Sequence, residues 1–379
     1  MQERVDVREW IEFQWPYLLT FLGGAAKVER LARQTGAFER ARRIGSPEAL
    51  LRLILMWAVG ERSLMDTAAM AAEAGLAEVS DVALVKRIAK AGDWLGALLG
   101  EALIDCRAEL PHGLRVRLLD ATSITRAGKR TTDHRVHLGL DLGTNRIDSI
   151  ELTDAKGVEG LERFAMAGGE ILIGDRAYGT RGGMASAAER GAYFIVRFGW
   201  PSVPLLTPDG QPFSLFEALE SLPDARASEF RVQFQAPEGA LVPVRLVAIR
   251  KSEAAAQQAR QRALREKTRK SRQQVDPRTL MAAGYVFVLT NLPDSVRPES
   301  VLQLYRLRWQ IEMKFKTLKS LLHLDQVPAR TDQALRVYVC AKLLVALLID
   351  SLIDQVESFS PWGYPIVSDE PLASDPAPA

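Results

Sequence analysis

Five short runs between residues 115 and 198 decide how this chain folds: RVRLLD (115–120), HRVHLGLDL (134–142), NRIDSIELT (145–153), ILIGD (171–175) and YFIVRF (193–198). Apolar residues in stretches this short, bounded by glycine and polar clusters, form strand patterns. Gly143-Thr144 is a turn signal between the second and third runs, so the first three are expected to make an antiparallel meander. A short helical stretch around Gly160 to Met166 precedes the fourth run, and a helix near Arg181 to Arg190 precedes the fifth. The expected order is βββαβαβ, an α/β arrangement.

On either side the texture changes. From Ser46 to Leu110, Leu, Ala, Met and Val recur at three- and four-residue spacings, punctuated by Gly60, Gly75 and Gly92, which reads as several short helices. Ser80-Asp81 looks like a helix cap, and Lys86 and Arg87 give that helix a basic face; a helix-turn-helix unit and an ordinary bundle both have this pattern. Between Pro201 and Ala283, strand candidates at Phe230 to Phe234 and Leu241 to Ile249 and a charged helical segment read as an insertion, after which Tyr285 to Leu289 resumes a strand. Helices return from Pro298 to Leu324 and from Asp332 to Val356, before a Pro-rich acidic tail expected to be disordered. The expected division is 1–110 (all-helical), 111–200 (first part of the α/β core), 201–281 (β-rich insertion with a basic segment), 282–330 (second part of the core), 331–360 (C-terminal helices) and 361–379 (tail).

Composition excludes several classes. With 379 residues, 47% hydrophobic and 25% charged, the chain is long enough for a sizeable core and is that of a globular protein. Two cysteines, Cys106 and Cys340, sit in apolar helical patterns, which suits reduced buried thiols and leaves no Cys-based zinc site. Charges throughout Met1 to Trp10 disfavour a signal peptide, and the longest apolar run, Val339 to Ile349, is interrupted by Lys342 and too short to span a membrane. A cytoplasmic location without membrane attachment is expected. The net charge of +2 neither demands nor forbids a polyanionic partner, so any such argument rests on local charge.

Locally the charge is informative. Tyr305, Arg308, Glu312 and Lys319 stand at offsets 0, 3, 7 and 14, which at about 100° per residue fall near 0°, 300°, 340° and 320° around one helix. A carboxylate flanked by two cations would thus share a narrow face, although surface i,i+4 pairs give the same pattern. Trp309 borders that face and is either a packing residue or a platform for a base, with packing the favoured reading. Asp120 and Asp175 each stand where a strand is expected to end, and with Glu312 they supply an oxygen-only set suited to Mg²⁺. Arg250 to Arg272 contains nine basic residues against Glu253 and Glu266, a run that is either a solvated helix or a track for a polyanion backbone through Arg262, Arg265, Arg269 and Arg272. Other signals are weaker: Leu140 to Asn145 has the look of one phosphate loop but is better read as a hairpin turn, and His134 and His137 alternate across a strand and suit structural roles. Asp141, Asp154 and Glu159 are extra carboxylates explained by turns and caps.

Asp120-Ala121-Thr122, Asp175-Arg176-Ala177-Tyr178-Gly179 and Tyr305-x₂-Arg308-x₃-Glu312-x₆-Lys319 together resemble the motifs of DDE transposases of the bacterial insertion sequence 4 family, the last being its YREK signature. The resemblance implies an RNase H-like catalytic core interrupted by a β-rich insertion before the last acidic residue, and the offset of 137 from Asp175 to Glu312 agrees with it. It implies cut-and-paste strand cleavage and transfer with Asp120, Asp175 and Glu312 holding Mg²⁺, for which Mn²⁺ would substitute. Tyr305, Arg308 and Lys319 would contact DNA, the partners being the terminal inverted repeats and target DNA, with a homodimer in the synaptic complex. Two departures stand out: Ala121 replaces a frequent Gly, and no Trp lies between Pro201 and Arg308, where some members place a base-gripping Trp; Tyr285 or another aromatic would take that place. The alternative is a DNA-binding repressor or remnant that has lost transposition.

Overall fold

A computed structural model describes residues 15–105, 115–126, 131–223, 226–270, 275–324, 326–329 and 331–358. The chain divides into two compact units, 1–105 with 327–379, and 106–326. The expected tail, 361–379, lies outside the described residues, as do Cys106 and Arg272.

The first unit is helical: α1 (Ala25–Gln34), α2 (Pro47–Ala58), α3 (Leu64–Glu73), α4 (Asp81–Ala89), α5 (Gly92–Asp105) and the long α12 (Asp332–Ser358). Ser46, Ser63 and Ser80 each accept a backbone N–H two or three residues into the following helix, which satisfies donors that a bare helix start leaves open. α12 packs against α2, α4 and α5, so the C-terminal helix completes the N-terminal bundle. Trp57 meets Tyr338 edge to face at 5.1 Å, and the buried Lys342 ammonium reaches Glu61 at 2.9 Å. Cys340 is a buried thiol. Among the described residues no helix is long and apolar enough to cross a membrane.

The second unit is a mixed sheet of β1 (Val116–Arg126), β2 (His134–Asp141), β3 (Arg146–Asp154), β4 (Ile171–Gly174), β5 (Tyr193–Val196), β6 (Leu205–Leu206), β7 (Ser228–Gln235), β8 (Leu241–Arg250) and β9 (Tyr285–Thr290). Their order across the sheet is β3-β2-β1-β4-β5-β9-β8-β7-β6. β1, β4 and β5 are parallel neighbours, and the other pairings are antiparallel. The meander and the βαβ order follow the apolar pattern, with α6 (Arg181–Glu189) between β4 and β5. Strands from the 201–281 stretch extend the same sheet through the β8–β9 pairing, accompanied by α7 (Leu215–Glu220), α8 (Glu253–Lys270) and α9 (Pro277–Ala283). Leu119, Leu172, Phe194, Val196, Leu246 and Phe287 join Tyr178 and Met184 in one continuous core.

Two differences from the sequence reading bear on the site. β1 does not end at Asp120 but continues six residues to Arg126, because its pairing with β2 runs on to Ile124 opposite His134 after β4 has ended. The expected single helix from Pro298 to Leu324 is two, α10 (Pro298–Arg306) and α11 (Trp309–Leu322). At the junction the bonds tighten to an i→i+3 pattern, with Leu307 donating to Leu304 at 3.0 Å and Arg308 to Tyr305 at 3.1 Å. α10 packs on β5 and β8 whereas α11 packs on β1, so the break falls between two different supports.

The meander is tied down by buried charge. Arg117 donates to Asp148 at 2.6 Å and to the Ala165 carbonyl at 2.7 Å, while Arg115 bridges Asp141 and Asp148. Asp141 also accepts from Gly143 and Thr144, which makes Leu140 to Asn145 the expected hairpin turn. His137 is buried against the Thr153 hydroxyl at 3.0 Å, and burial pushes its pKa down to about 4, so it serves the core as a neutral ring. Replacing Asp148 by Ala would leave two guanidiniums without their shared partner, and a loss of about 3–5 kcal/mol in urea unfolding is expected. A loss below about 1 kcal/mol would show that this cluster does not hold the meander.

Candidate active site

The site starts from strand register. In the parallel pair, Leu119 stands opposite Gly174, so the next residues along the chain, Asp120 within β1 and Asp175 just after β4, lie side by side where β4 ends. Asp120 accepts its neighbour's amide, Ala121 N–H, at 2.8 Å, and Asp175 accepts Ala177 N–H at 2.8 Å, which fixes one oxygen of each carboxylate. The turn after Asp175 is held by Tyr178, a fully buried ring that fills the space a side chain on Gly174 would need. A Cβ on Gly179 would stand 2.0 Å from the Arg197 carbonyl oxygen, so only glycine lets the turn lie against the end of β5. Thr180 then caps α6 through Gly183 N–H at 3.1 Å.

α11 brings the third carboxylate by packing on β1. Burial, followed by the charges of Asp175 and Glu312, pushes Asp120 up to about 7 against the partial relief of the Ala121 amide and the Arg308 charge. Three carboxylates from distant segments therefore sense one another across one small region. Glu312 is held by Arg308 at 2.5 Å, and the Arg308 guanidinium lies 5.9 Å from the Tyr305 ring centre. A fourth carboxylate, Glu159, is raised by burial and by Asp175 while paired with Arg135 at 2.5 Å.

These residues suit a hard divalent cation in donor type, since all three supply carboxylate oxygen and the crowded negative charge is what such an ion relieves. Among the described residues, however, no three carboxylate, His or Cys side chains converge to hold an ion as they stand. The Arg308–Glu312 pair accounts for this in part by drawing Glu312 to a cation of the chain itself.

The structure thus brings together Asp120, Asp175, Glu312, Arg308 and Tyr305. Lys319 is half-buried two turns further along α11 and makes no ion pair among the described residues. Arg262 and Arg265 are exposed on α8, Arg269 lies within the bounds of that helix, and Arg272 lies outside the described residues. Two aromatic expectations are corrected. Trp309 is 56% exposed instead of packed, because the break before α11 leaves it on the solvent side, and Tyr285 is buried under the Arg250 guanidinium, where it is closed to a flipped base. Passed over in the sequence was Arg197, which with Arg176, Arg181, Tyr305 and Arg308 lines a cavity of about 630 Å³ beside Asp175. An isolated arginine after a strand has no motif to mark it.

The Asp120 carboxyl carries a pH signature. Its folded pKa is about 7 against an ordinary value of 3.8, so the folded protein binds an extra proton between those limits. Its stabilising contribution is full below about pH 4 and is lost as pH rises through about 7. Asp120→Asn is expected to flatten that part of the stability curve in urea melts with a chelator present; an unchanged slope would remove Asp120 from its crowded environment.

Residues 111–348 match the family described as the transposase DDE domain. The chain is 38% identical over 356 residues to a putative transposase, InsL, for insertion sequence element IS186A of Escherichia coli K12, an alignment covering 92% of this chain and 96% of the relative. It is likewise 38% identical, with the same coverage of both chains, to a transposase for insertion sequence element IS421 of Escherichia coli. A transposase for insertion sequence element IS231F of Bacillus thuringiensis subsp. israelensis is 25% identical over 64% of this chain and 57% of its own length. The family match covers more than half of the chain, and the two Escherichia coli relatives align over nearly their whole lengths, so the chain belongs to the DDE transposase family of insertion sequences.

Proposed function

We propose that this protein is the transposase of a bacterial insertion sequence of the insertion sequence 4 type, with Tyr305, Arg308, Glu312 and Lys319 as its YREK residues. The observation that carries the reading is the emergence of Asp120 and Asp175 side by side from a parallel strand pair, with Glu312 within charge reach. The 111–200 and 282–330 segments then form an RNase H-like core, and the strands of 201–281 interrupt it in sequence. Asp120, Asp175 and Glu312 would hold two divalent ions, Mg²⁺ or in their place Mn²⁺. Bound there, one would help deprotonate the attacking water or 3′-hydroxyl while the other would neutralise charge on the leaving 3′-oxygen.

The chain's own residues do the rest. Asp120 must lose its proton to join the site, and with its pKa raised to about 7 by burial it does so only as the pH reaches neutrality. Arg308, now 2.5 Å from Glu312, exchanges that carboxylate for a DNA phosphate, and Tyr305 orients the phosphate by its hydroxyl. Lys319, the α8 arginines Arg262, Arg265 and Arg269, and Arg272 beyond that helix's bounds follow the backbone.

The helical unit binds the terminal repeats. Support comes from a cleft of about 560 Å³ in which Arg40, Arg42, Arg43, Lys86, Arg87 and Lys90 outnumber the one lining carboxylate, Glu39. Clustered cations along one helix face suit phosphate contacts. Arg87 fixes the cleft wall by donating to the Arg40 carbonyl at 3.1 Å. Two protomers pair the ends, and the reaction takes place on chromosomal DNA in the cytoplasm. A repressor or remnant is the second reading, and it is separated from the first by cleavage.

With end-containing DNA and Mg²⁺, end-specific cleavage is expected of the enzyme, and a metal-indifferent mobility shift without cleavage of the repressor. Asp120→Asn, Asp175→Asn and Glu312→Gln are each expected to lower cleavage by at least about a hundredfold while leaving end binding within about threefold, since only the metal-dependent step is touched. Near-normal cleavage by any one variant removes that residue from the site. Arg308→Ala should weaken the complex with cleaved ends more than Arg306→Ala, whose side chain is exposed about 200° around the helix from it. Equal effects would return Arg308 and Glu312 to the status of a surface ion pair.

A further inference from the structure

The direction of the strands places more than carboxylates at the catalytic edge. β9 is antiparallel to both β5 and β8, so β8 runs the same way as β1, β4 and β5. The residues that follow these strands therefore leave the sheet at one edge: Asp175 after β4, Arg197 after β5 and Lys251 after β8, with Asp120 at the same level of β1. Sequence position alone hides this row, because its members are spread over more than a hundred residues.

Arg197 is the unexplained member. It lines the cavity beside Asp175, its Nε is buried without a hydrogen-bond partner, and its guanidinium forms no ion pair among the described residues. Arg197 as a whole is half-buried, but a buried nitrogen such as its Nε is ordinarily paired, since removing its water without replacement is costly. Here burial lowers the Arg197 pKa, and the neighbouring Arg176 and Arg308 charges lower it further, opposed by Tyr305 and Asp175. Lys251 continues the pattern: it donates to the Ala283 carbonyl at 2.7 Å and senses Arg197, Arg176 and Arg262. Cations thus lead from Arg308 beside Glu312, through Arg176 and Arg197, past Lys251 to Arg262 on α8.

We propose that Arg197 binds a DNA phosphate adjacent to the scissile one, and that Lys251 takes the next step of a backbone track joining the carboxylates to α8. The proposal rests on the transposase reading above. Phosphate fits because the open guanidinium fork offers parallel donors, the cavity already collects positive charge, and the carboxylate at its mouth, Asp175, is committed to the Ala177 amide. A structural arginine would instead be closed by a carboxylate or carbonyl, as Arg117 and Arg245 are in the same unit.

The test uses the full chain and end-containing duplexes in which single phosphates near the cleavage position are replaced by neutral methylphosphonates. Binding is followed by fluorescence anisotropy over a range of salt concentrations without divalent metal. For the wild type, neutralising one particular phosphate is expected to cost about tenfold in affinity, the worth of one charge-assisted contact. In Arg197→Ala that same replacement should cost nothing further, other positions should keep their penalties, and the log K against log[salt] slope should flatten by about 0.9. Arg197→Lys should recover the slope. If Arg197→Ala loses its cooperative thermal transition, Arg197→Gln serves in the same comparison. A wild-type chain that binds no end-containing duplex would overturn the transposase reading and this proposal with it. A wild type that binds, beside a variant with the same salt slope and the same set of phosphate penalties, would overturn the proposal alone.

Discussion

The parallel pairing of β1 with β4 is the constraint on which the rest depends. By placing Leu119 opposite Gly174, it obliges Asp120 and Asp175 to lie side by side where β4 ends, partly out of water and close enough to repel. Such an arrangement costs stability in the isolated protein, and the chain answers it in two local ways. Asp120 retains its proton to about neutrality, and Arg308 takes up the charge of Glu312. Both answers are reversible, which is what a site needs if it is to exchange its own compensation for a cation and a phosphate.

The same region explains why a nearly neutral protein can act on a polyanion. The net charge of +2 conceals a local arrangement in which Asp120 within β1 and Asp175 after β4 stand beside cations that follow β5 and β8, Arg197 and Lys251. Interactions at this range are weakly screened by salt compared with those between distant surface charges. The glycine at 179 matters to this layout, since it lets the Asp175 turn approach the strand end that carries Arg197. In the helical unit, the buried contact of Lys342 with Glu61 and the packing of Trp57 on Tyr338 give the bundle a closing helix from the far end of the sequence.

Much of this was legible beforehand because it is periodic or local. Branched apolar runs marked β1 to β5 and β9, and Ser80-Asp81 marked the start of α4. The spacing of Tyr305, Arg308, Glu312 and Lys319 marked a shared face, and Arg308 does meet Glu312 despite the tightened turn between α10 and α11. That turn was not legible, since Leu307 and Arg308 keep helical dihedrals and carry no breaker residue. The extension of β1 beyond Asp120 was equally hidden, because it depends on where β2 pairs and not on the composition of Thr122 to Arg126. Trp309 and Tyr285 were misjudged in opposite directions, one exposed where packing was expected and the other buried where a base platform was, because only the packing of α11 on β1 and of β9 beneath Arg250 decides which ring is covered. Arg197 and Lys251 emerge only from strand direction, a nonlocal property.

The central claim is that Asp120, Asp175 and Glu312 form one cation site once Arg308 is drawn away by DNA. Anomalous diffraction from crystals of the protein with end-containing DNA and Mn²⁺ addresses it directly. The account expects a manganese peak shared by Asp120 and Asp175, with the Glu312 carboxylate turned toward it and Arg308 on a phosphate. An ordered ion elsewhere, or no ion while Arg308 stays paired with Glu312 beside bound DNA, would contradict it.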